Sequence, residues 1–238
     1  MTVALAQPSF PPLMRGEPSG DPFTEACRRA EAGCDAGLIL HDVRANRLRA
    51  ALVLAPEVPL ADAMAMLPIC GIGFQNALGA LAPPEVGVHL DWDGGLRVNG
   101  ALAGRLSAAA ASCAADEEPG WLVIGLDLAL MLGLDAPGHA PDTTCLYEEG
   151  CGEVDPMHLL EAWARHTLVW INRWSDDGLR PIHAEWSGLA HGLNAEARAA
   201  GRSGSFVGVD DRFGMLLRQD DGSAVAVPLT EMLKGDRR

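Results

Sequence analysis

The hydrophobic and polar positions of the chain alternate between strand-like and helix-like spacing. Apolar runs at two-residue spacing predict strands, and apolar side chains every three or four residues predict helices. The predicted elements are a helix opened by Asp21 and Pro22, strands at 38–40 and 48–54, a helix over 60–81, a hairpin over 86–108, a strand at 121–126, and a helix from Asp155 to about Ser175. Pro68, Gly71 and Gly73 are expected to bend the helix over 60–81.

The C-terminal part of the chain, from Gly201 onward, has a different pattern. Short apolar runs at 205–209, 214–218 and 224–228 are separated by turns rich in aspartate and glycine. Such spacing predicts a small β domain. We therefore expect an N-terminal extension over 1–20, a main domain over 21–200 and a small β domain over 201–238.

Composition narrows the possible functions. The chain has 238 residues, of which 48% are hydrophobic, so it is long enough to bury a full core. A formal net charge of −14 argues against a nucleic-acid surface, because phosphate binding needs clustered lysine and arginine. The sequence has neither an apolar run of membrane-spanning length nor a signal-like N-terminus, so we expect a cytoplasmic protein without membrane contact. The six cysteines lack metal-finger spacing, so we expect reduced thiols and no metal site.

The stretch from Val88 to Leu106 carries the most specific motif. It reads Val-His-Leu-Asp-Trp-Asp-Gly-Gly-Leu-Arg-Val-Asn-Gly-Ala-Leu-Ala-Gly-Arg-Leu and resembles the core hairpin of the biotin and lipoate protein ligase family. After the turn, family members read Lys-Leu-Ala-Gly-Ile-Leu, and their lysine stabilises charge that develops between the reacting carboxylate and phosphate groups. Here Asn99-Gly100 is followed by Ala101-Leu102-Ala103-Gly104. Ala101 therefore occupies the lysine position, and the single lysine of the chain, Lys234, lies in the C-terminal tail.

Arg105 is the cation nearest to this position along the chain. It would share the face of Ala101 if the strand contained no bulge, since side chains alternate along a strand. The resemblance implies that an active enzyme would use Arg105 or Arg97 in place of the lysine. The alternative is that Arg105 is an exposed or surface-paired arginine, as most arginines are.

Two other segments resemble the same family and depart from it. Leu122 to Leu128 is similar to Val-Ile-Gly-x-Gly-Ile-Asn-Met, with Gly125 kept and Asp127 in place of an asparagine near the nucleotide. As an anion, Asp127 would repel phosphates unless a cation intervenes. Where biotin ligases carry Gly-Arg-Gly-Arg-Arg-Gly, this chain has arginines without glycines, at Arg44, Arg47 and Arg49. They form either an anion clamp or an ordinary turn with solvated arginines.

Cys145 is a candidate nucleophile. Asp142 to Gly150 resembles the ligase segment Thr-Ser-Leu-x-Glu-x-Gly, with Cys145 where the serine falls. Octanoyltransferases of this superfamily use a cysteine after the corresponding strand, so the resemblance makes Cys145 a candidate acyl carrier. A thiol with no base or cation nearby is a poor nucleophile at neutral pH, and Glu148 and Glu149 disfavour the thiolate further. A structural thiol is the alternative.

The resemblance covers about residues 21 to 233 and implies an α+β fold, in which helices back a mixed β-sheet. Gly208 to Leu217 is similar to the Gly-Ile-Asp-x-x-Gly-x-Leu-x-Leu run of biotin ligases, which implies that the small C-terminal β domain is SH3-like. The ligand-binding positions that the resemblance implies are Arg44, Arg47, Arg49, Trp92, Asn99, Ala101, Gly104, Gly125 and Asp127.

The family transfers a biotinyl, lipoyl or octanoyl group to a lysine of a carrier domain, with ATP and Mg²⁺. A biotinyl or lipoyl carrier domain is therefore the expected partner. Because the lysine and the glycine-rich loop are missing, three hypotheses stay open. They are a ligase that uses Arg105 or Arg97, a noncatalytic ligase-fold protein that binds or scaffolds, and a cysteine acyltransferase through Cys145.

Overall fold

A computed structural model describes residues 8–132 and 142–233 of the chain, so Lys234 lies outside the described residues. The strands are β1 Arg15–Pro18, β2 Leu38–Arg44, β3 Arg47–Leu54, β4 Val88–Leu90, β5 Gly95–Val98, β6 Ala101–Ala110, β7 Leu122–Ala129, β8 Glu196–Ala199, β9 Arg202–Val209, β10 Met215–Arg218 and β11 Ala224–Val227. The helices are α1 Pro22–Glu31, α2 Leu60–Ala63, α3 Met66–Leu81, α4 Pro156–Asp177 and α5 Arg180–Leu189, followed by a 3₁₀ helix at Leu229–Met232.

The larger sheet has seven strands in the order β1-β2-β3-β7-β6-β5-β4. β1 runs parallel to β2, and the other neighbouring strands are antiparallel. Along β3, Leu48, Ala50 and Leu52 face a core shared with α3 and α4, whereas Ala51 and Val53 face α1. The predicted mixed sheet backed by helices is therefore confirmed, with α1 covering only part of the second face.

The smaller sheet lies at the C-terminus and has four antiparallel strands in the order β11-β10-β9-β8. Its buried side chains, among them Phe206 and Leu217, belong to the same hydrophobic cluster as those of α3, α4 and the larger sheet. The two sheets are also joined by a hydrogen bond from Trp92 Nε1 to the carbonyl of Phe213, at 2.6 Å.

The apolar segment Leu60–Leu81 differs from the single bent helix that its pattern predicts. It breaks at Met64 and Ala65 into α2 and α3, and α3 then continues through Pro68. Pro68 lies in the first turn of α3, where a proline removes no helical hydrogen bond. Contrary to the expectation from sequence, the segment is long and apolar enough to cross a membrane, with mean hydropathy 1.4. In the folded protein, however, 72% of its most apolar window is buried. Its place between the sheet and α4 accounts for that composition.

Candidate functional site

The part of the sheet that α1 leaves open forms a groove. Its cavity measures about 510 Å³ and lies over β3, β6 and β7, with one end closed by Thr143 and Thr144. A smaller cavity of about 120 Å³ adjoins it, shares Ser107 and Asp127, and reaches the N-terminus of α1. We use the term groove for the larger cavity, whose lining includes Asn46, Arg47, Leu102, Arg105, Ser107 and Asp127.

A row of charged side chains crosses the sheet at this groove. Asp42 on β2 lies opposite Arg49 on β3, Arg49 lies opposite Asp127 on β7, and Asp127 lies opposite Arg105 on β6. Residues directly opposite each other in a sheet point to the same face. The four side chains therefore alternate in sign across four strands on the open face.

The two arginines that line the groove, Arg47 and Arg105, each form an ion pair. The guanidinium of Arg47 donates two hydrogen bonds to the carboxylate of Asp127, at 2.5 and 2.6 Å. This contact raises the pKa of Arg47. Arg105 Nη1 lies 2.7 Å from a carboxylate oxygen of Asp93 and also donates to the Asp93 carbonyl at 3.2 Å. These side chains remain between 41% and 55% exposed. Arg47 is therefore the cation beside Asp127 that phosphate binding would require. Because the charges of Arg47 and Asp127 neutralise each other, however, the pair offers no net positive charge to a phosphate.

The other predicted arginines are also paired with carboxylates. Arg49 and Arg44 both bond to Asp42, and their hydrogen bonds, that of Arg49 first, hold the pKa of Asp42 below its usual value. Arg97 binds Asp91 at 2.7 Å and the carbonyl of Gly100 at 2.9 Å, away from the groove lining. All five predicted arginines therefore have an acidic partner within the described structure.

Arg105 does not share the face of Ala101. Ala101 lies opposite Val98, whose side chain is in the core, whereas Arg105 lies opposite Asp127 on the open face. Between these positions the pairing of β5 with β6 shifts register. One extra residue on β6 opposes β5 there, and such a bulge breaks the alternation of faces. The condition under which Arg105 could take the position of the lysine is thus not met.

The residues at this site do not fit the phosphates of ATP. Ala45 and Asn46 form a two-residue turn between β2 and β3, and neither is a glycine that would let the backbone wrap an anion. The arginines on either side of the turn, Arg44 and Arg47, are held by Asp42 and Asp127. Of the two alternatives for this segment, an anion clamp and an ordinary turn, the geometry favours the ordinary turn.

Several predicted ligand positions have structural roles. A Cβ on Gly104 would lie 2.5 Å from the Asp127 carbonyl, and one on Gly125 would lie 2.5 Å from the ring of Phe23, so both glycines allow close packing. Trp92 is buried between the two sheets and does not reach the groove lining. Asn99 forms the predicted tight turn, with φ of 50°, and its amide bonds to the Gly87 nitrogen and to Glu149.

Cys145 is fully buried, at 0% exposure. The segment around it is fixed to β7 by hydrogen bonds from the Leu146 nitrogen to Ala129 and from the Tyr147 nitrogen to Leu130. A nucleophile must reach its substrate, so this burial favours the structural thiol. Among the described residues, no group of three or more histidine, cysteine, aspartate or glutamate side chains is placed to hold a metal ion.

The acidic partners Asp42 and Asp93 were missed by the sequence reasoning. A signal for Asp42 was present, since a two-residue turn at Ala45 and Asn46 pairs Asp42 with Arg49 by counting outward from the turn. The contact between Asp93 and Arg105 depends on the bulge, which no pattern in the sequence marks.

Residues 10–188 match the biotin/lipoate A/B protein ligase family, and residues 194–235 match a domain of unknown function, DUF4444. The chain is 58% identical to a biotin protein ligase-like protein of unknown function from Silicibacter sp. TM1040, over 96% of this chain and 100% of that one, with a TM-score of 0.91. The search of curated proteins found no match.

Two solved ligases share the fold at lower identity. The biotin protein ligase of Aquifex aeolicus, in complex with biotin and ATP, is 16% identical with a TM-score of 0.67, over 90% of this chain and 94% of that one. The ligase of Leishmania major, in complex with biotinyl-5-AMP, is 16% identical with a TM-score of 0.56, over 91% of this chain and 99% of that one.

Proposed function

The chain belongs to the biotin/lipoate A/B protein ligase family, and we propose that it binds an acyl group of the biotin or lipoate class in the groove without activating it with ATP. The observation that carries this proposal is the pairing of both groove arginines with carboxylates, Arg47 with Asp127 and Arg105 with Asp93. It is the noncatalytic alternative of the sequence analysis, with the groove as its binding site.

Activation of an acid by ATP brings a carboxylate against a phosphate, and the site must stabilise the negative charge of both. Cations held in place for that charge are usually the largest contribution to catalysis. The resemblance implies that Ala101 stands where the family has its lysine, and each groove arginine already donates to an aspartate. An incoming phosphate would have to displace one of those aspartates and then lie beside it.

Binding of an acyl group does not require the free cations that activation by ATP requires. One wall of the groove is apolar, formed by Leu102, Ala103, Ala129, Met131 and Leu132. Met131 and Leu132 are 46% and 38% exposed and adjoin each other in the lining, which leaves apolar surface for an alkyl or ring ligand to cover. A cavity of this size is in the range that takes small organic ligands.

The test measures binding and activation separately. Calorimetric titration with biotin, lipoate, octanoate and their amides reports binding, and exchange of labelled pyrophosphate into ATP with Mg²⁺ reports adenylation. We expect binding of at least one acyl group and no exchange. Ala129→Trp, which fills the groove beside Arg47, should abolish binding, whereas Val169→Trp on the exposed face of α4 should not.

An active ligase that uses Arg105 or Arg97 is the competing function. Exposed ion pairs are worth only about 0–1 kcal/mol, so the half-exposed pair of Arg105 with Asp93 opens easily. Pyrophosphate exchange that Arg105→Ala or Arg97→Ala abolishes would overturn the noncatalytic proposal. The acceptor would then be sought among biotinyl and lipoyl carrier domains, on which members of this family act.

A further inference from the structure

We infer that the groove recognises the acyl group as a neutral amide on a lysine side chain, and not as the free acid. The ligand would be a carrier domain that already carries its biotinyl, lipoyl or octanoyl group. This inference rests on the proposed function, and it names the chemical form of the ligand in that same site.

The charges at the groove are already balanced, because each of its two arginines is paired with an aspartate. In the lining, Arg47 forms an ion pair with Asp127, and the lining residue Arg105 forms an ion pair with Asp93. A free acid adds a carboxylate to this arrangement and must either displace an aspartate or lie close to it. Like charges at short range disfavour each other even at the effective dielectric of a protein surface. An amide brings no charge, so neither pair has to open.

The groove can satisfy an amide with neutral groups. Two uncharged polar side chains line the cavity: Asn46, at the β2–β3 turn beside Met131, and Ser107, on β6 two residues beyond Arg105. Side chains of these types can donate to an amide carbonyl and accept from an amide N–H. A buried amide that keeps both hydrogen bonds avoids the desolvation penalty that an unpaired polar group would carry.

The exposure of the walls is an independent argument. Arg47, Asp127, Arg105 and Asp93 are each between 41% and 55% exposed, and Met131 is 46% exposed. A free small acid gains most from a site that encloses it, since such sites bury most of the ligand surface. An acyl-lysine remains attached to a folded domain, so its site has to stay open along one side. The groove has that form.

The experiment compares ligands that share the acyl group and differ in whether that group ends in a carboxylate or in the neutral amide of a lysine side chain. Titrations use lipoate, octanoate and biotin against the corresponding Nε-acyl-lysines, capped at both ends so that they carry no net charge. We expect each capped acyl-lysine that binds to do so at least about tenfold more tightly than its acid. A lipoylated carrier domain should bind, and its unmodified form should not.

Asp127→Asn gives the sharper test. It frees Arg47 while keeping the size of the side chain, so the acid should gain affinity at least about fivefold and the amide should change little. Asp93→Asn should do the same through Arg105 and serves as a second variant. Asp176→Asn removes one negative charge from the exposed end of α4 and should alter neither ligand.

The outcomes separate the two proposals. An acid that binds as tightly as its amide, or an acid affinity that both aspartate variants leave unchanged, would overturn this inference while leaving acyl binding intact. If neither acids nor amides bind, the proposed function itself fails.

Discussion

At the scale of single residues, Gly104 is constrained by packing before any ligand is considered. A Cβ at this position would lie 2.5 Å from the backbone oxygen of Asp127, which no side-chain movement relieves. Gly104→Ala should therefore lower the free energy of unfolding by about 1–3 kcal/mol in denaturant titration. Gly79→Ala, on the exposed side of α3, should instead raise it by about 0.5–1 kcal/mol. Equal effects at the two sites would contradict the close approach of β6 and β7.

His41 makes stability depend on pH. The residue is 8% exposed, and burial lowers the pKa of its imidazole from the ordinary value of 6.5. At pH values between the lowered pKa of the folded protein and the ordinary pKa of the unfolded chain, the unfolded chain binds more protons than the folded protein. The contribution of His41 to stability is therefore full above about pH 6.5 and is lost as the pH falls below it. His166 shifts in the same direction because of burial.

The pH effect can be measured from melting temperatures at about pH 7.5 and pH 5.5. His41→Gln should reduce the difference between them, and the remainder should come from His166. His158→Gln, at a side chain that is 72% exposed, should leave the difference as it is. If His41→Gln behaves like that control, the burial of His41 has no bearing on folding.

Three charged residues of the candidate site could be predicted from sequence, but the acidic partner of Arg105 could not. The resemblance located Arg47, Arg105 and Asp127, and the structure places these three in one groove. It did not show that Arg105 is neutralised by Asp93. Arg105 lies on β6 opposite Asp127 of β7, whereas Asp93 belongs to neither of these strands. Pairing of that kind depends on tertiary packing and not on local periodicity.

At the scale of elements, the β5–β6 hairpin ties the groove to the segment 142–150. Asn99 has φ of 50°, and its side chain bonds to the Gly87 nitrogen and to Glu149, both at 2.9 Å. Asn99→Ala should cost about 1–2 kcal/mol and raise hydrogen exchange in 142–150. Asn194→Ala is the matched control, since Asn194 also has a positive φ, of 65°, and lies in the loop before β8. Exchange in 142–150 that rises equally in both variants would show that strain, and not the side-chain links, explains the effect.

Elements with strong periodicity were predicted, and those defined by pairing were not. Strands β3 and β7 and helix α4 follow their apolar patterns, although β2 extends past its apolar run through the polar residues to Arg44. The unpredicted β1 is short, polar and at the sheet edge, where pairing with β2 alone defines it. Pro22 opens α1 as predicted, but Asp21, which the prediction also placed at the start of this helix, makes no side-chain capping bond.

At the scale of the whole molecule, Phe213 joins the two sheets. This residue is 1% exposed. Its ring stacks on His183 at 4.0 Å between centroids and meets Trp186 edge-on at 5.9 Å, while its carbonyl accepts a hydrogen bond from Trp92 Nε1. Since both sheets also share one hydrophobic cluster, the wild-type protein should unfold in a single calorimetric transition.

Phe213→Ala tests this coupling because it removes the ring from both helix α5 and the smaller sheet. The loss should be roughly 3–5 kcal/mol, and the smaller sheet should then melt before the larger one. Trp92→Phe keeps most of the packing volume but leaves the Phe213 carbonyl without its bond, so it should cost only about 1–3 kcal/mol and keep one transition. Two transitions in the wild-type protein, or one in Phe213→Ala, would show that the sheets are not coupled through this contact. Because the groove lies on the larger sheet, acyl binding should survive in Phe213→Ala below its first transition.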